Sequence, residues 1–331
     1  MPRGAISWFA MGHLEHTGPR FTPAISPDGK VLAALASTQS HEPPADFDDT
    51  IRFFDLLSRK RIHTLSLPKA RSPSCLRFGS DGRRVAYSLM LDFSSDEPDP
   101  SDGDVFVYDL KAGKKVHQLK GHDSEVMAID FSPDGRLLAT GDEEAKIRIW
   151  DLATGRNVQT LQPNEEIRLC ALAFSPDGRQ LAVGGDHSDN SLWDVKTGKN
   201  LGTFGEPACL TLGLSFSPDG QLLAASNQSN LVIVTDPNTR KPKSRLMHTG
   251  IVGDVAYSPS GRLLAAGGGT HYGQVVLWSA DGAEKRKRFR GHTDTVLAVR
   301  FWPDGRRLSS ASQGELIVWD LQKLLPDQQK D

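Results

Sequence analysis

Residues 121–152, GHDSEVMAIDFSPDGRLLATGDEEAKIRIWDL, contain the unit from which the chain is built. Residues 126–131 read as a strand, and 132–135, SPDG, form a tight turn in which Pro presets φ and Gly accepts a positive φ. Two more β-rich runs, 136–140 and 147–150, follow this turn. The unit therefore resembles one four-stranded blade, cut just before its last strand. Both faces of such a blade are apolar, so it becomes stable only when copies stack.

Copies of the turn recur along the whole chain. Seven are present: SPDG at 26–29, GSDG at 79–82, SPDG at 132–135, 175–178 and 217–220, SPSG at 258–261, and WPDG at 302–305. Their third residues stand at 28, 81, 134, 177, 219, 260 and 304, so the last four spacings are 43, 42, 41 and 44. These spacings fall in the range of about 40–45 that is typical of propellers. Each turn is followed by a closing motif such as IWDL, which predicts one domain over residues 1–321 and a short polar tail over 322–331.

The Trp-Asp closers, together with Gly-His pairs at 121–122 and 291–292, resemble those of the WD-repeat β-propeller family. The resemblance covers nearly everything from Ala5 to Leu321. It implies an all-β fold, a seven-bladed β-propeller of four-stranded antiparallel blades. A shared fold says little about function, and we interpret the chain as a non-catalytic scaffold that binds other proteins or peptides within a larger assembly.

The two ends of the chain are expected to meet. Residues 5–10, AISWFA, form a strand-like run that belongs to no complete unit, whereas the seventh unit lacks a fourth strand after Asp320. We therefore predict that the N-terminal run supplies the outer strand of the last blade. This pairing closes the ring and removes two exposed strand edges.

Composition excludes several classes of partner. The chain has 39 Lys and Arg against 41 Asp and Glu, a net charge of −2, so no global field favours nucleic acid or membrane. Basic outer strands at 59–61, 240–245 and 285–290 invite a nucleic-acid interpretation. Protection of strand edges explains them better, because aromatic stacking partners are nearly missing nearby.

Three cysteines, Cys75, Cys170 and Cys209, form no CxxC pair, which favours a reducing compartment. The sequence has no signal-like segment and no apolar run of 18 residues. We expect a cytoplasmic protein that is a monomer within its assembly.

In WD repeats, a His, a Ser or Thr, a Trp and an acid form a hydrogen-bonded tetrad. The matching residues are His122, Thr140 and Trp150 in blade 3, and His292, Ser310 and Trp319 in blade 7. The resemblance places Glu144, and less closely Gln313, where the acid is expected. A His, Ser and acid set also resembles a hydrolase triad. Repetition across blades favours a structural role, since a buried Trp donor needs an acceptor.

The sequence contains no G-x-S-x-G, P-loop, H-E-x-x-H or Cys/His zinc spacing. We therefore expect no enzyme activity, no cofactor and no metal. The alternative is an enzyme or metal-dependent module that uses loop residues of one face. Its candidate ligands are His41, Asp186, His187, Asp189 and His271.

The functional surface of a propeller is usually its top face, formed by the loops that lead into each first strand and those that join strands two and three. Two insertions lie there, 37–49 in blade 1 and 91–104 in blade 2, and hold ten acids without one Lys or Arg. These acids are Glu42, Asp46, Asp48, Asp49, Asp92, Asp96, Glu97, Asp99, Asp102 and Asp104. The patch is extended by Glu125, Asp142, Glu143 and Glu144 of blade 3, and Arg168 stands where blade 4 begins.

Because the whole chain nets −2, everything outside the ten acids nets +8, so the asymmetry is local. We hypothesise that a basic segment docks on this acidic rim. Two alternatives remain open: the insertions are solvated loops, as their Pro and Ser content suggests, or Asp99, Asp102 and Asp104 contribute to a calcium site.

Overall fold

A computed structural model describes residues 5–10, 24–36, 50–67, 73–90, 103–163, 168–186, 190–205, 210–270, 272–312 and 315–325. These residues form seven four-stranded antiparallel sheets and the turns and loops that join their strands. The predicted all-β, seven-bladed architecture is therefore confirmed. The first acidic insertion, 37–49, lies outside the described residues, and so does the second except for its last two residues, 103 and 104.

The strands follow one another blade by blade. Blades 1 to 3 contain β2 (Ala24–Ile25), β3 (Val31–Ala36), β4 (Thr50–Asp55) and β5 (Arg61–Ser66); β6 (Pro73–Phe78), β7 (Arg84–Leu89), β8 (Val105–Asp109) and β9 (Lys114–Leu119); and β10 (Val126–Phe131), β11 (Leu137–Asp142), β12 (Ile147–Asp151) and β13 (Arg156–Leu161). Blades 4 and 5 contain β14 (Arg168–Phe174), β15 (Gln180–Asp186), β16 (Asn190–Asp194) and β17 (Asn200–Phe204); and β18 (Thr211–Phe216), β19 (Leu223–Asn227), β20 (Leu231–Thr235) and β21 (Pro242–Met247). Blade 6 contains β22 (Val252–Tyr257), β23 (Leu263–Gly268), β24 (Gln274–Ser279) and β25 (Lys285–Arg290).

Blade 7 combines both ends of the chain. It contains β26 (Ala298–Phe301), β27 (Arg307–Ser312) and β28 (Glu315–Asp320), and its fourth strand is β1 (Ala5–Ala10). β1 runs antiparallel to β28, with Phe9 opposite Leu316. How much this pairing contributes to the stability of the ring stays a prediction.

The apolar core is divided among the seven interfaces between blades. Among the described residues, each neighbouring pair of blades shares one buried cluster, and blade 7 packs on blade 1 in the same way. Between blades 7 and 1, for example, Trp302 and Leu316 pack with Leu32. Each blade thus buries both faces against its neighbours, as a stack of incomplete units requires.

The recurring SPDG turn is stabilised by its own side chains. In blade 3 the Ser132 hydroxyl donates to the Asp134 carboxylate over 2.7 Å and accepts the Leu137 N–H over 2.8 Å. Gly135 takes the positive φ, 68°, that the turn requires. The turns that begin at Ser26, Ser175 and Ser217 repeat the same bonds. These turns lie on one side of the ring, the bottom face, opposite the top face.

In blades 1 to 5 the Asp of the closing motif caps the turn that follows the third strand. Asp151 accepts the N–H of Thr154 over 2.8 Å, and Asp194 accepts that of Thr197 over 2.7 Å. Blade 5 has Thr235 in place of Trp, yet Asp236 still accepts the N–H of Asn238 over 2.9 Å. The Asp of the motif therefore caps its turn whether or not the Trp precedes it, and a blade can keep one of these residues without the other.

A single helical turn, α1 (Leu321–Leu324), follows the last strand, with Asp320 as its N-cap. Leu321 is buried, and Leu324 and Leu325 pack against the cluster between blades 6 and 7. The packed part of the chain thus continues four residues beyond the predicted boundary at 321.

Candidate functional site

Blade 3 contains a complete hydrogen-bonded tetrad. His122 Nε2 lies 2.7 Å from the Thr140 hydroxyl, which also accepts the Trp150 Nε1–H over 2.7 Å. His122 Nδ1 lies 2.7 Å from a carboxylate oxygen of Asp142. An Nδ1–H donor to that carboxylate leaves Nε2 as the acceptor of the Thr140 hydroxyl, so every polar atom in the chain of bonds has a partner.

The acid of this tetrad is Asp142, and the prediction of Glu144 is wrong. Asp142 ends β11 and uses its second oxygen to accept the Lys146 N–H over 2.8 Å, which holds the tight turn to β12. That double role turns the carboxylate inward, leaving it 1% exposed. Glu144 lies at the tip of the turn and is exposed.

Blade 7 contains a second network with a different end. His292 Nε2 lies 2.7 Å from the Ser310 hydroxyl, which accepts the Trp319 Nε1–H over 2.8 Å. His292 Nδ1 lies 2.9 Å from the Ser312 hydroxyl, and Glu315 is 3.6 Å away. The other residue proposed for the acid position, Gln313, lies outside the described residues. A hydroxyl thus replaces the carboxylate in this blade.

The histidines of both networks are buried, and burial favours their neutral form. Burial lowers the pKa of His292 to about 4. Burial also lowers the pKa of His122, although the bond to Asp142 opposes the shift. The hydroxyls of Thr140 and Ser310 have no exposed surface. A nucleophile must reach its substrate, so these sets are arranged as structural supports and not as hydrolase triads.

Blade 6 contains a third histidine in the same place, which the sequence interpretation missed. His248 precedes the Ser258 turn by ten residues, as His122 precedes Ser132 and His292 precedes Trp302. Its ring centroid lies 6.5 Å from that of Trp278. The hydroxyl position is occupied by Ala266, and His248 Nε2 is buried without a hydrogen-bond partner. The spacing to the turn was the available signal, but Met247 replaces the usual Gly.

The top face of blade 3 keeps only part of the predicted acidic patch. Glu144 is exposed and Glu143 is half-buried, but Glu125 is only 2% exposed. Asp142 belongs to the tetrad, so neither it nor Glu125 contributes to a solvent-facing rim. The structure adds Asp123, whose side chain is 69% exposed and forms an ion pair with Lys146 at 2.7 Å.

The last acid of the second insertion is also buried. Asp104 is 4% exposed and accepts a hydrogen bond from Gln118 Nε2 over 2.7 Å. It therefore anchors the start of β8 and does not join the rim. The remaining insertion acids of the predicted patch lie outside the described residues: Glu42, Asp46, Asp48, Asp49, Asp92, Asp96, Glu97, Asp99 and Asp102. Arg168 is the first residue of β14, and in the register of the sheet it lies opposite Asp186 of β15.

The family model of the WD domain, G-beta repeat, matches residues 113–151, 155–194, 240–279 and 283–320. The chain is a WD-repeat β-propeller protein. Each matched stretch begins at the outer strand of one blade and ends with the third strand of the next, so the sequence repeat is offset from the blade.

This WD-repeat chain is similar to curated proteins over part of their length. It is 31% identical to WD repeat-containing protein SL1-17 of Schistosoma mansoni over 210 residues, and this alignment covers 63% of this chain and 54% of that protein. Periodic tryptophan protein 2 of Arabidopsis thaliana is 28% identical over 222 residues, 66% of this chain and 24% of the relative. Cell division cycle 20.1, cofactor of APC complex, from Arabidopsis thaliana is 26% identical over 275 residues, 66% of this chain and 60% of the relative. The chain thus spans less than two thirds of each of these relatives.

A solved structure supports the fold of the WD-repeat chain. A chain of the crystal structure of the mitotic checkpoint complex superposes with a TM-score of 0.78 and covers 96% of this chain and 91% of its own length. Sequence identity is 18%, so the likeness concerns the fold alone.

Of the alternative metal ligands in this WD-repeat chain, only Asp186 lies in the described part, at the end of β15. The others, His41, His187, Asp189 and His271, lie outside it. Within the described ranges, no group of three or more His, Cys, Asp or Glu side chains is placed to hold a metal ion. No helix there is long and apolar enough to span a membrane.

Proposed function

We propose that this chain is a non-catalytic scaffold whose top face binds another protein. The observation that carries the proposal is the burial of the His networks of blades 3 and 7, whose polar side chains bond to one another and link the strands within each blade. Relatives named for a protein complex, such as Cell division cycle 20.1, cofactor of APC complex, are consistent with a scaffold role. We further propose that it works in the cytoplasm as one copy within its assembly.

The partner that we propose is a basic segment of a protein. Support comes from the strands that border the two acidic insertions, because the ends of β3 and β4 in blade 1 and of β7 and β8 in blade 2, between which the insertions run in the sequence, lie at the top face of adjacent blades. Blade 3 follows with Asp123 and Glu144 exposed. A concentrated anionic surface attracts cationic partners and speeds their encounter.

A short cationic peptide tests this idea before any natural partner is known. We would titrate the protein into fluorescein-labelled octalysine and follow the anisotropy at several salt concentrations. Affinity should fall steeply with salt if exposed acids make the contact, because the Debye length is about 8 Å at physiological ionic strength and salt screens solvent-exposed charges. Replacing Asp96, Glu97, Asp99 and Asp102 together by Asn or Gln should weaken binding strongly at low salt.

A matched control keeps the charge and changes only the order of residues. Reversing the sequence of 92–102 preserves every acid, so binding should stay within about twofold if charge density is what matters. Unchanged affinity of the fourfold neutral variant at low salt would refute the acidic rim. A rise in melting temperature on adding calcium, absent in that variant, would favour the calcium-site alternative instead.

A further inference from the structure

The bottom end of the central channel carries an uneven ring of side chains. Each inner strand places there the residue that lies two positions before its turn. In blade order these residues are Ala24, Arg77, Asp130, Ala173, Ser215, Ala256 and Arg300. The two arginines stand on either side of Ala24, and the small methyl group leaves space between them.

That space is a cavity of about 270 Å³ at the mouth of the channel. Arg77, Arg300, Asp130 and Ala24 line it, together with Pro27 and Ser80 from the turns of the bottom face. Two arginines and one aspartate therefore line one partly enclosed space, and their formal charges sum to +1 when the aspartate is ionised.

Neither guanidinium is satisfied by the protein. Among the described residues, Arg77 and Arg300 form no hydrogen bond and no ion pair, although both are half-buried. Asp130 is already engaged, since its carboxylate accepts the Phe174 N–H over 2.8 Å across the blade interface. The charge of Asp130 balances at most one of the two arginines, and a partly desolvated charge without a hydrogen-bonded partner is costly, so a complementary anion would stabilise this end of the channel.

We propose that Arg77 and Arg300 form a binding site for a small tetrahedral oxyanion, such as a phosphate or sulfate group. A guanidinium presents a rigid fork of N–H donors that matches two oxygens of such an anion. Guanidinium groups from two different blades can bind one anion only if its oxygens point towards both, and a tetrahedral dianion has such oxygens. The site lies on the opposite face from the acidic insertions and is independent of the proposed scaffold surface.

Asp130 makes the site sensitive to pH. Burial raises the pKa of Asp130 to about 6, against the opposing effects of the Phe174 N–H, Arg77 and Arg300. Above that pH its negative charge opposes an incoming anion, and below it the carboxyl is neutral. Binding should therefore tighten as pH falls through about 6.

No other residue of the ring at this level has a side chain that changes charge near pH 6. The level holds Ala24, Ala173, Ser215 and Ala256 besides the charged groups. One level deeper, Asp254 accepts the Val299 N–H over 3.0 Å, and burial raises the pKa of the Cys75 thiol to about 12.

Isothermal titration with sodium sulfate at constant ionic strength, balanced with chloride, tests the site directly, because sulfate keeps one charge state from pH 5 to 8. At pH 7.5 we expect one site per chain. Arg77→Gln and Arg300→Gln should each weaken binding at least tenfold. Arg136→Gln, which changes an exposed arginine of the same face, should leave affinity unchanged. No binding by the unmodified protein, or equal affinity in Arg300→Gln, would overturn the proposal.

Asp130→Asn should change sulfate affinity in the opposite direction to the arginine variants. A gain in affinity cannot result from loss of the fold. This variant should tighten sulfate binding several-fold at pH 7.5 and abolish the gain in affinity between pH 7.5 and 5.5. Weaker binding in Asp130→Asn would contradict the assigned roles. Melting temperatures without sulfate show whether each variant folds. If Arg300→Gln does not, Arg300→Lys keeps the charge, loses the fork and should still bind several-fold more weakly.

Discussion

Replacing Ala266 by Ser should add the missing hydroxyl to the histidine network of blade 6 and stabilise the protein. Two of its members are already in place, because His248 and Trp278 are spaced like His122 and Trp150, with ring centroids 6.5 and 6.2 Å apart. His248 Nδ1 lies 3.2 Å from the carbonyl oxygen of Thr249. If it donates there, Nε2 is left as an acceptor that no group fills.

The register of the sheet puts position 266 where a hydroxyl is needed. Ala266 lies two residues after Leu264, which pairs with Trp278. In blade 7, Ser310 lies two residues after Leu308, which pairs with Trp319. A Ser at 266 should therefore donate to His248 Nε2 and accept the Trp278 Nε1–H, as Ser310 does for its own neighbours.

The expected gain follows from these two bonds. Each net hydrogen bond contributes about 0.5–1.5 kcal/mol, and a stranded buried polar atom costs about 1–3 kcal/mol. The extra oxygen enters a fully buried position, and overpacking offsets part of this gain. We expect the free energy of unfolding to rise by about 1–2 kcal/mol, and for a chain of 331 residues each kcal/mol corresponds to about 1–2 °C in melting temperature.

Urea denaturation, with hydrogen exchange of the β23 and β24 amides as a local probe, measures the effect. Ala225→Ser is the matched control, because Ala225 occupies the same position in blade 5, where Thr235 replaces the Trp. Diagonal neighbours in a sheet are about 7–8 Å apart, so the new hydroxyl cannot reach Thr235, and this variant should be destabilised. If Ala266→Ser loses as much stability as Ala225→Ser, the proposed geometry is wrong.

Three further predictions concern the ring and its histidines. A truncated chain that begins at Gly12 lacks β1 and should lose several kcal/mol, because a whole ladder of hydrogen bonds is removed; melting within one or two degrees of the full chain would contradict ring closure. His292→Ala should cost about 1–3 kcal/mol and reduce binding only in proportion to lost folded protein, whereas unchanged melting with abolished activity would restore the triad hypothesis. Lowering the pH from 6.5 to 5 should lower the free energy of unfolding by roughly 1–2 kcal/mol per histidine, because burial holds the pKa of His248 and His292 at about 4 and the unfolded chain takes up protons first. The urea midpoint should therefore decrease between pH 7 and pH 5 by less in His292→Ala than in the unmodified protein. An equal decrease in the two proteins would disprove this origin.

The architecture could be predicted because its signals are local. An SPDG turn is held by bonds among its own residues, such as Ser132 to Asp134, so each copy is visible without knowledge of its neighbours. Counting the turns then fixes the number of blades. The Gly-His pair identified two of the three histidine positions and missed His248, which follows Met247, although the spacing of ten residues to the turn is preserved in all three.

The sequence did not reveal which way an acidic side chain points. Glu125, Asp142 and Asp104 all stand next to the top face, where acids are usually solvated, and all three are buried. For Asp142 the reason is the tight turn that it caps, in which Ala145 adopts a φ of 64°. That backbone path decides whether position 142 or 144 faces the histidine, and composition contains no information about it.

The two proposed sites place opposite charges at opposite ends of the same channel. Cationic partners would meet the acidic insertions on the top face, and anions would meet Arg77 and Arg300 on the bottom. An inner strand such as β10 has six residues, so at about 3.3 Å per residue the ends lie roughly 20 Å apart. That is more than two Debye lengths at physiological ionic strength, where the Debye length is about 8 Å. Sulfate should therefore leave octalysine binding unchanged at constant ionic strength, and coupling between them would mean that the ring itself changes conformation.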